Sequence, residues 1–124
     1  MNETVILVFA LLGLKHFICD FPLQAFPYQY QNKGTYDHPG GLLHSGIHAI
    51  GTWMVLFWFT NPMTAIALAV FDMLVHYHVD WAKMNINKLY GLRPDNSEWF
   101  WIWLGLDQLA HFMTYVIIVW YLYC

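Results

Sequence analysis

The chain has 124 residues, of which 59% are hydrophobic and only 10% are charged, against the roughly 25% charged share of soluble domains. So few charges could not cover the surface of a soluble protein of this length. The abundant Trp and Tyr residues suit membrane interfaces. The composition therefore predicts one integral membrane domain in a lipid bilayer. The net charge of −3 gives no indication of nucleic-acid binding, and binding to a nucleic-acid duplex is not expected.

Four apolar segments are long enough to cross a bilayer core of about 30 Å, which takes roughly 20 helical residues. They cover residues 4–24, 41–59, 63–84 and 97–123. The breaker Asn61-Pro62 separates the second from the third, and Ser97 is a candidate N-cap for the fourth. No cleavage site follows the first segment, so we expect it to be retained. The predicted fold is an all-α, four-helix transmembrane bundle made of two similar helical hairpins.

Two long polar linkers join the first span to the second and the third to the fourth, the latter reading NINKLYGLRPDN. All basic residues lie at or between the ends of those pairs of spans: Lys15, Lys33, Lys83, Lys88 and Arg93. The positive-inside rule then predicts a multi-pass protein of the cell (inner) membrane, with cytoplasmic linkers and both termini outside. Gly46 and Gly51, on the second span, are expected to allow close helix packing.

Ionisable side chains recur within these apolar segments at intervals of four residues. On a helix this spacing places them on a single face, so each span has one ionisable stripe, and all four stripes are expected to meet in the cytoplasmic half of the bundle. The residues of the stripes are His16, Asp20, His44, His48, Asp72, His76, Asp80, Asp107 and His111.

An ionised acid at the bilayer centre costs about 2.5–3.5 kcal/mol on insertion scales, so these residues need partners. Imidazole and carboxylate groups from facing helices are typical ligands of transition metals. Nine candidates exceed one tetrahedral shell and suit one or two divalent ions, with zinc favoured over manganese or iron. Asp20 and Asp72 are candidate catalytic acids and Lys83 a candidate substrate contact. A proton or ion path and purely structural polar contacts remain as alternatives.

Four motifs together resemble a family of small multi-pass bacterial and phage membrane proteins, the domain of unknown function 3307 family. They are HFICDFPLQ from His16, LLHSGIH from Leu42, HYHVDWAK from His76 and LDQLAHF from Leu106. The resemblance covers all four spans in order. It implies family positions at His16, Asp20, Gln24, His44, His76, Asp80, Lys83, Asp107, Gln108 and His111, whereas His48 and Asp72 rest on the spacing alone.

The resemblance brings no activity, so function is inferred from the stripes. The leading hypothesis is a metal-dependent membrane hydrolase acting from the cytoplasmic face on a phosphoester or pyrophosphate, either lipid-linked or a nucleotide. One alternative is a non-enzymatic ion or proton transporter, which would need polar groups that continue to the outer side. Another is a small interaction protein stabilised by a metal. The sequence is also compatible with a homo-oligomer.

Overall fold

The computed structural model describes residues 2–124, and its regular structure over that range is entirely helical. The all-α prediction is therefore confirmed. A single 3-10 turn, Leu23–Ala25, lies between the first two helices. The helices are α1 (Glu3–Asp20), α2 (Pro27–Tyr30), α3 (Pro39–Leu56), α4 (Pro62–Tyr90) and α5 (Glu98–Tyr123).

Each of the four long helices begins at a polar residue whose side chain accepts a hydrogen bond from a backbone N–H of the first turn. These N-caps are Asn2, His38, Asn61 and Ser97. Such a bond satisfies one of the amides that lack a partner at the start of a helix. The predicted cap at Ser97 is confirmed, whereas His38 was not recognised as a cap because histidine is an uncommon residue in that role.

The helix ends differ from the predicted spans at three places, the smallest being α3, which ends at Leu56 and not at residue 59. The first helix ends at Asp20 and not near residue 24. The fourth helix continues through the segment 85–90, which was predicted to be linker, and ends only at Gly91, whose φ of 62° is left-handed. Glycine reaches this conformation without strain and closes helices in this way. The polar residues after Met84 therefore mark a change of surroundings and not the end of the helix.

The four long helices form a closed ring in which α1 packs on α3 and α5, and α4 packs on the same two helices. Neighbours run antiparallel, because the end of α1 meets the start of α3 (Asp20 with His48) and the end of α4 meets the start of α5 (Lys83 with Asp107). The start of α5 also meets the end of α1, where His16 contacts Gln108. All of these contacts lie at the linker end of the ring.

The ring is apolar outside, whereas its interior contains buried ionisable residues. Large apolar side chains are exposed on its outer faces, among them Leu14, Ile50, Leu74 and Leu109. Three helical stretches are long and apolar enough to cross a membrane, Glu3–Ala25, Pro62–Tyr90 and Glu98–Tyr123, and α3 is not among them. This polarity is the reverse of a soluble protein's and is consistent with a membrane protein.

The far end of the ring, away from the linkers, is closed by an apolar core. Its fully buried members come from all four long helices: Val8, Leu12, Leu56, Ala65, Tyr115 and Ile118. This core fills the half of the ring interior that the ionisable residues leave free. The bundle is thus divided into an apolar half and a polar half.

A cap made of residues 21–38, including α2, covers the polar half at the linker end. Gly40 of α3 permits the close contact between this helix and the cap, since a Cβ at Gly40 would lie 2.1 Å from the Tyr28 carbonyl oxygen. Gly51 also fits the packing prediction, because a Cβ there would lie 3.1 Å from the Lys15 side chain. The prediction for Gly46 is wrong, since a Cβ at that position would have nothing within 4 Å; Gly46 faces away from the neighbouring helices.

Candidate metal centre

The ionisable residues singled out in the sequence are all buried in the polar half of the ring. Each of these residues is at most 5% exposed. They are His16, Asp20, His44, His48, Asp72, His76, Asp80, Asp107 and His111. Eight of them form one continuous cluster, while Asp72 lies to one side with other partners. The helical stripes therefore do point to a common axis.

Four atoms from three helices form the centre of this cluster. The Nε2 atom of His44 lies 3.2 Å from Asp20 Oδ1 and 3.3 Å from Asp80 Oδ2. The Nε2 atom of His76 lies 3.6 Å from Asp20 Oδ1 and 3.1 Å from Asp80 Oδ2. The two nitrogens are 3.1 Å apart. Each imidazole thus faces both carboxylates and the other imidazole.

These five separations, of 3.1–3.6 Å, are close to the edges of a metal coordination shell. Ligand bonds of 2.0–2.1 Å to a tetrahedral ion place neighbouring ligand atoms about 3.3–3.4 Å apart. Among residues 2–124, both carboxylate oxygens of Asp80 also lack a hydrogen-bond partner although they are buried. An unsatisfied buried carboxylate is costly, and a cation between these four atoms would remove that cost. Asp20, His44, His76 and Asp80 are therefore a candidate ligand set.

Gln29, from the cap, determines which nitrogen of His44 is available. The Gln29 side-chain amide donates to the Leu23 carbonyl oxygen at 2.9 Å, which leaves its Oε1 to face His44 Nδ1 at 3.3 Å. Oε1 can only accept, so His44 carries its proton on Nδ1 and presents a lone pair at Nε2. That is the form of histidine that binds a metal, with its other nitrogen held by a neighbouring group.

His48 has the opposite arrangement, although it belongs to the same helical stripe. The Lys15 ammonium lies 3.2 Å from His48 Nδ1 and can only donate, so Nδ1 accepts. The proton of His48 is then on Nε2, which donates to Asp20 Oδ1 at 3.0 Å. In this arrangement His48 orients a candidate ligand and is not itself one.

His16 also supports Asp20 from the side. Its Nδ1 lies 2.9 Å from the Tyr115 hydroxyl, and its Nε2 lies 2.9 Å from Gln108 Oε1 and 3.1 Å from Asp20 Oδ2. The Gln108 amide nitrogen donates to the same Asp20 oxygen at 3.1 Å. With both nitrogens occupied, His16 holds Asp20 in place.

A second group of candidate ligands adjoins the first through His76. His111 Nε2 lies 3.4 Å from Asp80 Oδ1 and 3.5 Å from Asp107 Oδ1, and its ring stacks on that of His76 with centroids 3.9 Å apart. Lys83 donates to Asp107 Oδ2 at 3.1 Å. Both His111 nitrogens and Asp107 Oδ1 are buried without a hydrogen bond to any residue in 2–124. This group extends the polar cluster toward the gap between α4 and α5.

Asp72 shares the stripe of His76 and Asp80 but lies one turn deeper, outside both ligand groups. Its Oδ2 accepts a hydrogen bond from Lys15 at 2.7 Å and another from Thr52. Lys15 then links Asp72 to His48, because the same ammonium also donates to the His48 carbonyl oxygen at 3.2 Å. Asp72 therefore anchors Lys15 at the boundary between the polar and apolar halves.

The comparison with protein-family models matches residues 7–124 of the chain to a family described as "Protein of unknown function (DUF3307)". The chain belongs to this family. The match includes every residue of the polar cluster, and the resemblance inferred from the four motifs is confirmed. No curated protein and no solved structure matches the chain, so the family membership carries no activity with it.

The interior of this DUF3307 protein is nearly balanced in charge without an ion. Four buried carboxylates (Asp20, Asp72, Asp80 and Asp107) face the ammonium groups of Lys15, Lys33 and Lys83. With neutral imidazoles the sum is −1. One divalent cation would change it to +1, whereas two would leave +3 in a low-dielectric interior, where uncompensated charge is costly. Charge balance therefore favours one ion over two, while one ion changes only the sign of the sum.

Several polar residues beside the DUF3307 cluster are not indicated by the sequence patterns. Lys33 lies 3.1 Å from Asp80 Oδ2, although its angle does not give Asp80 a hydrogen bond, and it donates to Gln24. Lys33 and Gln29 lie in a linker, where no helical periodicity could indicate that they face inward. Lys15 precedes His16 and could have been placed with the stripes, since a lysine within an apolar span needs a partner.

Proposed function

We propose that the protein is a metal-dependent membrane hydrolase that uses one divalent ion, zinc in preference to manganese or iron. The observation that carries this proposal is the meeting of Asp20, His44, His76 and Asp80, in which each imidazole nitrogen lies 3.1–3.6 Å from both carboxylates and from the other imidazole. Two imidazoles and two carboxylates suit zinc, which accepts both nitrogen and oxygen ligands. The proposed substrates carry a phosphoester or pyrophosphate.

The surrounding residues supply the other parts of such a reaction. A divalent ion held by these four atoms would need a fifth position for water, as zinc provides when it expands to five ligands. It would then activate that water and stabilise charge on a phosphoryl oxygen. In the hydrolysis the water oxygen bonds to phosphorus, the bridging P–O bond breaks, and the leaving oxygen takes up a proton. We assign Asp107 as acceptor of the water proton because its Oδ1 is free of hydrogen bonds from residues 2–124. Lys83, beside Asp107 and Asp80, would hold the anionic group.

The apolar core at the far end argues against the transporter alternative. A conducting path needs polar groups along its whole length, and the far half is filled by residues such as Leu12, Leu56 and Ile118. The polar residues near that boundary have local partners, since Thr52 donates to Asp72 and Thr114 to the Ala110 carbonyl oxygen. The polar cluster therefore ends within the bundle, as an enclosed site does.

We also propose that α3 is a fourth membrane span. Its 18 residues give a length of about 27 Å at 1.5 Å per residue, close to the thickness of a bilayer core. Its average apolarity is lowered by His44 and His48, which face the ring interior, while Ile50 and Met54 are exposed on its outer face. A helix surrounded in this way can cross a membrane because only its outer face meets lipid.

Four spans would place both termini on one side, and the exposed Lys88 and Arg93 near the second linker favour a cytoplasmic position for the linkers. Lys15 does not count toward this rule because it is buried against Asp72. In spheroplasts, a membrane-impermeant maleimide is therefore expected to label the exposed Cys124 from outside, since Cys19 is buried. The Cys124→Ser variant is the control. Labelling that requires lysis of the spheroplasts would reverse the orientation.

Hydrolysis is tested with the zinc-loaded protein in detergent, using release of inorganic phosphate from phosphorylated lipids and nucleotides. Turnover is expected with at least one phosphate compound and is expected to fall about 100-fold or more in Asp107→Asn, in keeping with the usual 10²- to 10⁴-fold contribution of a general acid or base. Asp95→Asn is the matched control, since Asp95 is exposed and forms an ion pair with Arg93. Protein that binds metal but hydrolyses none of these compounds would favour the metal-stabilised interaction protein.

A further inference from the structure

The linker end of the bundle is closed to water by hydrogen bonds that hold the cap in place. Asn85, in the extension of α4, donates to the Gly34 carbonyl oxygen at 2.9 Å, and the Asp37 backbone N–H donates to the Tyr77 hydroxyl at 2.7 Å. Beneath them, Gln29 and Lys33 are 4% and 6% exposed. A water-soluble substrate would have to displace this cap to reach Asp80.

A cavity between α4 and α5 reaches the polar cluster from the side. Its volume is about 170 Å³, and its apolar lining comes from Val79, Ala82, Ile86, Trp103 and Leu106. The outer faces of these two helices expose Leu74 and Leu109, which would face lipid. The cavity therefore lies at the side of the bundle, between two helices whose outer faces are apolar.

Lys83 and Asp107 complete the lining of this cavity at its inner wall. Their side chains are 12% and 1% exposed and lie 3.1 Å apart, and Lys83 Nζ is also 4.0 Å from Asp80 Oδ1. On the other side of this pair lie His111 and the candidate ligands. The cavity thus combines apolar walls with one ammonium group at the point nearest the proposed metal.

We propose that the substrate is an amphiphile that enters sideways from the bilayer between α4 and α5, with its phosphate or pyrophosphate group at Lys83 and its hydrocarbon chain along Val79 and Leu106. This inference rests on the proposed function and narrows its substrates to lipid-linked ones. The interior charge agrees with it, because a cluster that holds one divalent ion carries a surplus of +1 that an anionic head group offsets. Nucleotides have no hydrocarbon part to occupy the apolar walls.

The test fills the cavity and leaves the ligands unchanged. Leu106→Trp places an indole in the cavity, and Leu109→Trp is the matched control on the lipid-facing side of the same helix. Native mass spectrometry measures binding of lysophosphatidic acid to the zinc-loaded full chain, and phosphate release is followed with phosphatidic acid and with p-nitrophenyl phosphate. Leu106→Trp is expected to lower lipid binding and lipid turnover at least about tenfold, while its zinc content and the values for Leu109→Trp stay at wild-type level.

The lipid-binding measurement and the phosphate-release measurement distinguish this inference from the hydrolase proposal. If lysophosphatidic acid binds wild type and Leu106→Trp equally, lateral access is wrong. If p-nitrophenyl phosphate is turned over faster than phosphatidic acid and is insensitive to Leu106→Trp, lateral access is wrong and the hydrolase stands. If the lipid binds in the expected pattern but no phosphate is released, the hydrolase proposal fails and the lipid site stands. If Leu106→Trp loses zinc, the test is repeated with Ala82→Phe, which fills the same cavity from α4.

Discussion

Protein purified in detergent with zinc present is expected to contain one zinc ion per chain, and His76→Ala is expected to lose it. His76 belongs to both candidate ligand groups, so its removal opens each of them. Loss of a group that merely orients a ligand costs about 10- to 100-fold in metal affinity, and we expect the loss of His76 to exceed this range. Metal content is measured by mass spectrometry of the purified protein, and affinity by competition with a chelating dye.

His78→Ala is the matched control for this experiment. His78 lies two residues further along α4, is exposed, and contacts the Tyr36 hydroxyl and the Leu74 carbonyl oxygen. Its loss should leave zinc content unchanged. The His48→Ala variant should show the intermediate loss of an orienting residue, because its Nε2 donates to Asp20. A wild-type protein without stoichiometric metal, or equal losses in His76→Ala and His78→Ala, would refute the metal centre.

Lys15→Met is expected to destabilise the protein by about 3–5 kcal/mol, the cost of leaving one member of a buried ion pair without its partner. Lys15 and Asp72 are 2.7 Å apart with side chains 8% and 1% exposed, so an unpaired Asp72 carboxylate would be held in an apolar environment. The double variant Lys15→Met/Asp72→Leu removes both charges and should recover most of this loss. Thermal unfolding in detergent, followed by helical circular dichroism, measures the difference.

Lys88→Met provides the control, since Lys88 is exposed in the last turn of α4. This variant should unfold at nearly the wild-type temperature. Lys15→Met should also weaken zinc binding, because Lys15 holds the tautomer of His48 in which Nε2 donates to Asp20. If Lys15→Met unfolds like wild type, or if the double variant is less stable than Lys15→Met, the ion pair does not have the role assigned to it.

The helices and the inward stripes could be predicted because a membrane makes the rules of patterning simple. An ionisable residue in an apolar span must face the interior, and a four-residue interval places several of them on one face. The end of α4 could not be predicted by the same reasoning. Polar residues such as Asn85 indicate where a chain leaves the bilayer. The helix itself ends where the backbone leaves helical geometry, at the left-handed Gly91.

The different roles of residues within one stripe could not be predicted, because they depend on contacts with other helices and with the cap. His44 and His48 are equivalent by spacing, yet one faces Gln29 and the other Lys15, and these neighbours select opposite tautomers. Asp72 and Asp80 likewise share a stripe, but the partner of Asp72 lies 57 positions away in the sequence. Such pairings are properties of the assembled ring and not of any one helix.

The polar interior has a consequence for how the protein enters the membrane. An ionised side chain at the centre of a lone helix costs about 2.5–3.5 kcal/mol during insertion, and α4 alone carries Asp72 and Asp80. The compensating groups are on other helices, as with Lys15 of α1 for Asp72 and Lys33 of the cap for Asp80. We therefore expect that the helices are not released one by one into lipid, and that early helices stay at the translocon until the later ones supply their counter-charges.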